Sequence, residues 1–178
     1  GICHEHLEYY GLRQVRRILR EAGLKILNVT WNDTNGGSFA VTAGHGYEPE
    51  TSPMDDIETM AYGKRAWADF AARVSIQRWD LTDELWRWKR EGKRVVGLGA
   101  STKGNTMLQY CGITPELLPA IAEVNPDKFG RMTPGTRIPI VSEAEAAAQK
   151  PDAYLVLPWH FRESFLARRR DSVPLIFP

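Results

Sequence analysis

Residues 97–106 (Gly97-Leu98-Gly99-Ala100-Ser101-Thr102-Lys103-Gly104-Asn105-Thr106) gather glycines, hydroxyls and one cation where an apolar run gives way to a helical pattern. Glycines at a strand-to-helix bend permit a tight turn and close approach of a ligand, and the amides that open the helix point at a docked anion. Lys103 adds a full charge. The spacing departs from G-x-G-x-x-G at the third glycine, where Thr102 stands, and it is not that of a Walker A loop. Three readings follow: a dinucleotide seat, a seat for a smaller phosphate or carboxylate, and a turn that only joins strand to helix.

His4, Glu5 and His6 are consecutive, with Glu8, Tyr9 and Tyr10 close behind. In an extended segment His4 and His6 share one face and Glu5 takes the other. Imidazole suits proton abstraction near neutral pH, and an adjacent carboxylate orients the ring and raises its basicity. Two histidines without a third ligand make a poor metal site, so a general base and ordinary hydrogen bonding are the readings that compete. Trp159 and His160 follow Pro158 at the carboxyl end of an expected strand, and Asn125 follows Val124 in the same way. That edge is where open α/β sheets take ligands, although packing at a helix start explains Trp159 and His160 equally well. Cys111 reads as a small buried apolar residue, and Arg168, Arg169 and Arg170 as a solvated helix end.

The elements that must position these groups are bounded by composition. The chain has 178 residues, 43% of them hydrophobic and 25% charged, enough for a real core and unlike a disordered tail. A net charge of +1 argues against nucleic-acid binding, which needs clustered cations in excess. Cys3 and Cys111 make neither a disulfide framework nor a four-thiolate zinc site. With no long apolar run and no signal-peptide pattern, the expected setting is cytoplasmic and without membrane contact.

Residues 12–22 carry Leu12, Val15, Ile18, Leu19 and Ala22 on one helical face, with Gly23 as a stop. From Leu24 the pattern becomes strand-like and turns at residues 32–37, which predicts a hairpin ending near Gly46. A helix and a hairpin make a poor independent core, so 1–46 is expected to close a truncated domain, in a chain cut from something longer. Residues 47–92 read as a linker and a long helical segment, with Trp67, Phe70, Val74, Leu81, Leu85 and Trp88 as a stripe expected to be buried. Residues 93–178 alternate expected strands (94–98, 120–124, 152–157, 173–177, and a short one at 138–141) with expected helices (103–110, 143–149, 161–170). Apolar strands alternating with helices predict an α/β fold, a Rossmann-like parallel sheet covered on both faces.

Taken in order, several stretches resemble the C-terminal region of the S-adenosylmethionine-dependent C-methyltransferases that act on nucleotide-linked deoxysugars. They are Ile2-Cys3-His4-Glu5-His6-Leu7-Glu8-Tyr9-Tyr10, the Gly36-Gly37-Ser38 turn, the Gly97 loop, Tyr110-Cys111-Gly112-Ile113, Asn125-Pro126-Asp127-Lys128, the run 131–140, and Leu157-Pro158-Trp159-His160. The resemblance implies three domains in the whole enzyme. An N-terminal domain binds zinc, a central one binds S-adenosylmethionine, and a C-terminal Rossmann-like one helps hold the sugar nucleotide. Zinc and cofactor would then be bound by regions missing from this chain, with the missing methyltransferase domain as its partner. The family's base is the histidine of a Glu-His pair, which falls on Glu5 and His6. Those two become the expected catalytic residues, His6 removing a proton beside a ketone. Lys103, Asn105 and Thr106, with Asn125, Trp159 and His160, become the expected substrate contacts. The sequence departs from the family's sugar enzymes at Cys3, where a tyrosine is usual. A non-catalytic nucleotide-binding or docking module and a NAD-dependent oxidoreductase fragment are the competing readings.

Overall fold

The computed structural model describes residues 3, 5–34, 37–46, 63–168 and 172–178. The expectations on His4, Gly36, the linker at 47–62, Arg169 and Arg170 lie outside the described residues. The chain forms two compact units, one of residues 5–73 and one that joins Cys3 to residues 74–178.

In the first unit, α1 (Leu12–Glu21) begins where the Gln14 side chain accepts from the Gly11 amide at 3.1 Å, and it ends before Gly23, whose φ of +73° reverses the chain. Strands β1 (Lys25–Asn32) and β2 (Ser38–Gly44) form the expected antiparallel hairpin, with a register shift between Ile26 and Asn28. Trp31 and Phe39 face each other across it, ring centroids 5.3 Å apart. Little of this unit is buried: among its described residues Leu12 and Ile26 are the buried hydrophobic side chains.

The helix α2 (Lys64–Arg90) runs for 27 residues, as the periodicity requires. The expectation that its whole stripe is buried holds at only one end. Leu81 and Leu85 are buried and Trp88 packs against them, whereas Trp67 and Phe70 are exposed. Helical spacing identifies a face, but burial requires a surface for that face to meet.

The second unit is a five-stranded parallel sheet of β3 (Val95–Leu98), β4 (Ile121–Glu123), β5 (Ile140–Ser142), β6 (Ala153–Val156) and β7 (Leu175–Ile176), in the order β5-β4-β3-β6-β7. The crossovers carry α3 (Thr102–Cys111) after β3, α4 (Glu143–Ala148) after β5 and α5 (Arg162–Arg168) after β6. Between β4 and β5 the connection is a 3₁₀ turn (Pro126–Lys128) and a loop closed by a bridge from Met132 to Pro139. Side chains alternate across the sheet. Val95, Ile121, Leu155 and Leu157 join Leu108, Leu118, Leu81 and Leu85 on one face, while Val96, Ala122 and Tyr154 join Ala146 on the other. This is the Rossmann-like α/β sheet read from the sequence. The short strand expected at 138–141 is present as β5, displaced toward the carboxyl end. Among the described residues no helix is long and apolar enough to cross a membrane.

Candidate functional site

The strand order places β3 at the point where the chain reverses direction. From β3 it moves outward to β4 and β5, then returns to the other side of β3 as β6. Open α/β sheets take ligands outside the carboxyl ends of the strands at such a switch point. Here those ends deliver the bend at 99–101 that opens α3 and the turn Pro158–Phe161 that opens α5.

Three glycines set the bend. A Cβ on Gly97 would lie 2.8 Å from Ile121 Cγ1, and Gly99, at φ +80°, would place one 2.9 Å from Pro158 Cγ. Gly104 lies so close to β6 that a Cβ would stand 2.6 Å from Leu157 Cβ. It therefore provides the close helix–strand packing that the third glycine of a dinucleotide fingerprint provides, two positions later than the fingerprint requires. Ser101 caps α3, its Oγ accepting from the Gly104 amide at 3.0 Å.

Around this bend the structure gathers several of the expected residues. Asn105, 8% exposed, lies on the inner face of α3, and its Oδ1 is buried with no hydrogen-bond partner among the described residues. His160 Nδ1, in the turn after β6, is buried and unpartnered in the same sense. Burial, and after it the positive charge of Lys103, hold the His160 imidazole below its ordinary value of 6.5. The ring is therefore neutral at pH 7 and able to accept a hydrogen bond. Trp159 meets His160 edge-on at 6.3 Å. Thr106 is half-buried, and its Oγ1 donates to the Thr102 carbonyl at 3.2 Å. Asn125 is exposed, with its Oδ1 accepting from the Asp127 amide at 3.0 Å to cap the turn after β4.

Glu5 and His6 belong to the other unit, in the exposed segment before α1. His6 packs edge-on to Tyr9 at 5.9 Å, and the Tyr10 hydroxyl donates to the Glu8 carboxylate, which holds that phenol above its ordinary value. Cys111 is buried and its thiol is pushed up by burial, as suits a packing residue. Among the described residues no cluster of three His, Cys, Asp or Glu is placed to hold a metal.

The sequence reading missed Glu123 and Lys128. Glu123 ends β4 and is 7% exposed. Its Oε1 accepts from the amides of Val124 (2.8 Å) and Asn125 (3.0 Å), and its Oε2 from the Ala100 amide (2.9 Å) and Lys128 Nζ (3.2 Å). Lys128 Nζ also donates to the Ala100 carbonyl at 2.8 Å. The signal was available, because an acid about 20 residues beyond the glycine bend, at the end of the second strand, is part of the dinucleotide fingerprint. Here that acid is saturated by donors of the chain itself. Together with the Pro158 ring over Gly99, it leaves the bend unlike a dinucleotide seat, against the oxidoreductase alternative.

Sheet order and glycine bend define a Rossmann-like α/β domain. Comparison with known proteins narrows this. The family described as the C-methyltransferase C-terminal domain matches residues 33–174, and the chain belongs to that family. The C-methyltransferase NovU of Streptomyces niveus is 29% identical over 177 residues, a similarity covering 96% of this chain and 42% of the relative. The chain thus spans less than half the length of the curated relative it matches. The family match takes in the glycine bend and the turn Pro158–Phe161, and begins after Glu5 and His6.

Proposed function

We propose that this chain is the C-terminal, substrate-holding part of an S-adenosylmethionine-dependent C-methyltransferase whose acceptor is a nucleotide-linked keto sugar. The observation that carries this reading is the pair of buried, unpartnered atoms, Asn105 Oδ1 and His160 Nδ1, the first in the helix that follows β3 and the second in the turn that follows the neighbouring strand β6. Buried polar atoms without partners are costly, and a ligand that supplies hydrogen bonds removes the cost. Lys103 is the natural partner of a diphosphate at the start of α3. Thr106, Asn125 and Trp159 complete the contact set. The family and the name of the relative support methyl transfer to carbon.

In this reading His6 is the general base. Its imidazole takes the proton from the sugar carbon beside the ketone, and the C–H electron pair becomes the enolate. Glu5 orients the ring and offsets the imidazolium charge. The glycine bend does not fit S-adenosylmethionine. At the glycine bend the Ala100 amide is bonded to Glu123 and Gly99 is covered by Pro158. Its binding is therefore assigned to the part of the methyltransferase that this chain does not span, as is zinc, with a cytoplasmic enzyme as the whole.

Titration of the isotopically labelled chain with uridine diphosphate glucose, NAD and S-adenosylmethionine, each separately, tests the reading. Weak binding of the sugar nucleotide, with the resonances of Lys103, Asn105 and His160 moving together, is expected. Binding of NAD alone, or sugar-nucleotide shifts that avoid these residues, would contradict it. In the whole methyltransferase, His6→Asn is expected to lower kcat by about 10²–10⁴ with KM little changed.

A further inference from the structure

The corner between β3 and β4 carries an anion of its own. Four donors converge on the Glu123 carboxylate, the amides of Ala100, Val124 and Asn125 and the ammonium of Lys128, at 2.8–3.2 Å. Three backbone amides and a cation aimed at one point form the arrangement that binds phosphate or carboxylate at other helix and turn openings. The Ala100 amide directly follows the glycine bend, where a dinucleotide fold offers its amides to the pyrophosphate. In this chain its acceptor is a side chain from the neighbouring strand. Lys128 bonds both Glu123 and the Ala100 carbonyl, so it fastens the β4 side of the corner to the β3 side.

We propose that this corner is an anion seat whose occupant is the chain's own Glu123, and that Glu123 is a specificity-determining residue that keeps external phosphate groups off the Ala100 amide. An external phosphate cannot share that N–H with a carboxylate already bonded to it, because two anions at hydrogen-bond distance from one donor repel each other strongly. Removing the side chain leaves a hole the size of a carboxylate, lined by donors without an acceptor. A small anion then replaces what was removed. The inference concerns what occupies this corner and does not depend on which substrate the residues around the bend take.

The test is anion rescue of Glu123→Ala in the full chain. Thermal unfolding and amide shifts are recorded in acetate, in inorganic phosphate, and in chloride at equal ionic strength. Acetate or phosphate is expected to stabilise E123A and to move the amides of Ala100, Val124 and Asn125, with an apparent Kd at least about 10-fold lower than for any binding to wild type at those amides. Wild type should show no anion-specific shift at Ala100. Should E123A fold only in acetate or phosphate and not in chloride, the seat is equally supported. E123A that responds alike to all three anions, or fails to fold in all three, overturns the proposal. So does a wild-type chain whose Ala100 amide is moved to saturation by phosphate.

Discussion

Gly104→Ala tests whether α3 is held against β6 as closely as the structure has it. The new Cβ would lie 2.6 Å from Leu157 Cβ, 3.3 Å from Leu157 Cα and 2.9 Å from Ser101 Oγ. Carbon atoms prefer about 3.5–4.0 Å, so the helix must retreat by about 1 Å or the strand must give. Overpacking of this kind costs about 1–3 kcal/mol. Displacing the Ser101 hydroxyl from the Gly104 amide adds up to about 1 kcal/mol, and alanine returns about 1 kcal/mol through its better helix propensity. The net loss is about 0–3 kcal/mol, which for a chain of this length is a fall in Tm of about 2–4 °C per kcal/mol. Urea and thermal unfolding of the full chain measure it. Gly112→Ala is the companion variant, because its Cβ meets nothing within 4 Å and its cost, about 1–2 kcal/mol, comes from the backbone at φ +67° alone. If G104A exceeds wild type in stability, the close approach of α3 to the end of β6 is wrong, and with it the placement of Lys103 and Asn105.

Three further outcomes follow from named contacts. Ser101→Ala removes the acceptor for the Gly104 amide and is expected to cost about 1 kcal/mol in urea unfolding, while Ser101→Asp, which keeps an acceptor, should cost much less. Lys103→Met should raise the His160 pKa toward its ordinary 6.5, read from the imidazole proton resonances; an unmoved titration would place Lys103 away from the ring. Burial raises the Glu123 carboxyl, but the amides of Asn125 and Val124 and the Lys128 ammonium outweigh it and hold the group below its ordinary 4.5. On acidification the unfolded chain therefore takes up this proton first. The stabilisation from Glu123 is complete above about pH 4.5 and is lost as pH falls through the lower folded value. Glu123→Gln should flatten this part of the acid unfolding curve, and parallel curves for the two proteins would contradict it.

Much of the second unit was legible because its signals are local. Four apolar residues in β6, Ala153-Tyr154-Leu155-Val156, are buried on both faces, and such a run has few alternatives to a central parallel strand. Gly99, Ser101 and the helix after them announced the bend in the same way. What escaped the sequence depends on contacts between distant residues. Nothing local to Pro158 says that its ring covers Gly99, and nothing local to Glu123 says that its carboxylate returns 23 positions to the Ala100 amide. The exposed end of α2 failed for the same reason, since the periodicity at Trp67 and Phe70 describes only the helix that carries them. Asn125 was expected to contact a ligand from its position at the sheet edge, while its oxygen closes a turn two residues away.

The contact between Gly99 and Pro158 has a consequence for how such chains diverge. Any residue larger than glycine at 99 must find room where the proline ring stands, and the positive φ disfavours it before that collision begins. A smaller residue at 158 would relieve the crowding but leave the torsion penalty, so the two positions are not free to drift one at a time. Across descendants of this fold, lineages that abandon the glycine should also have lost the proline and reshaped the bend, and correlated replacement at this pair is the trace that history would leave.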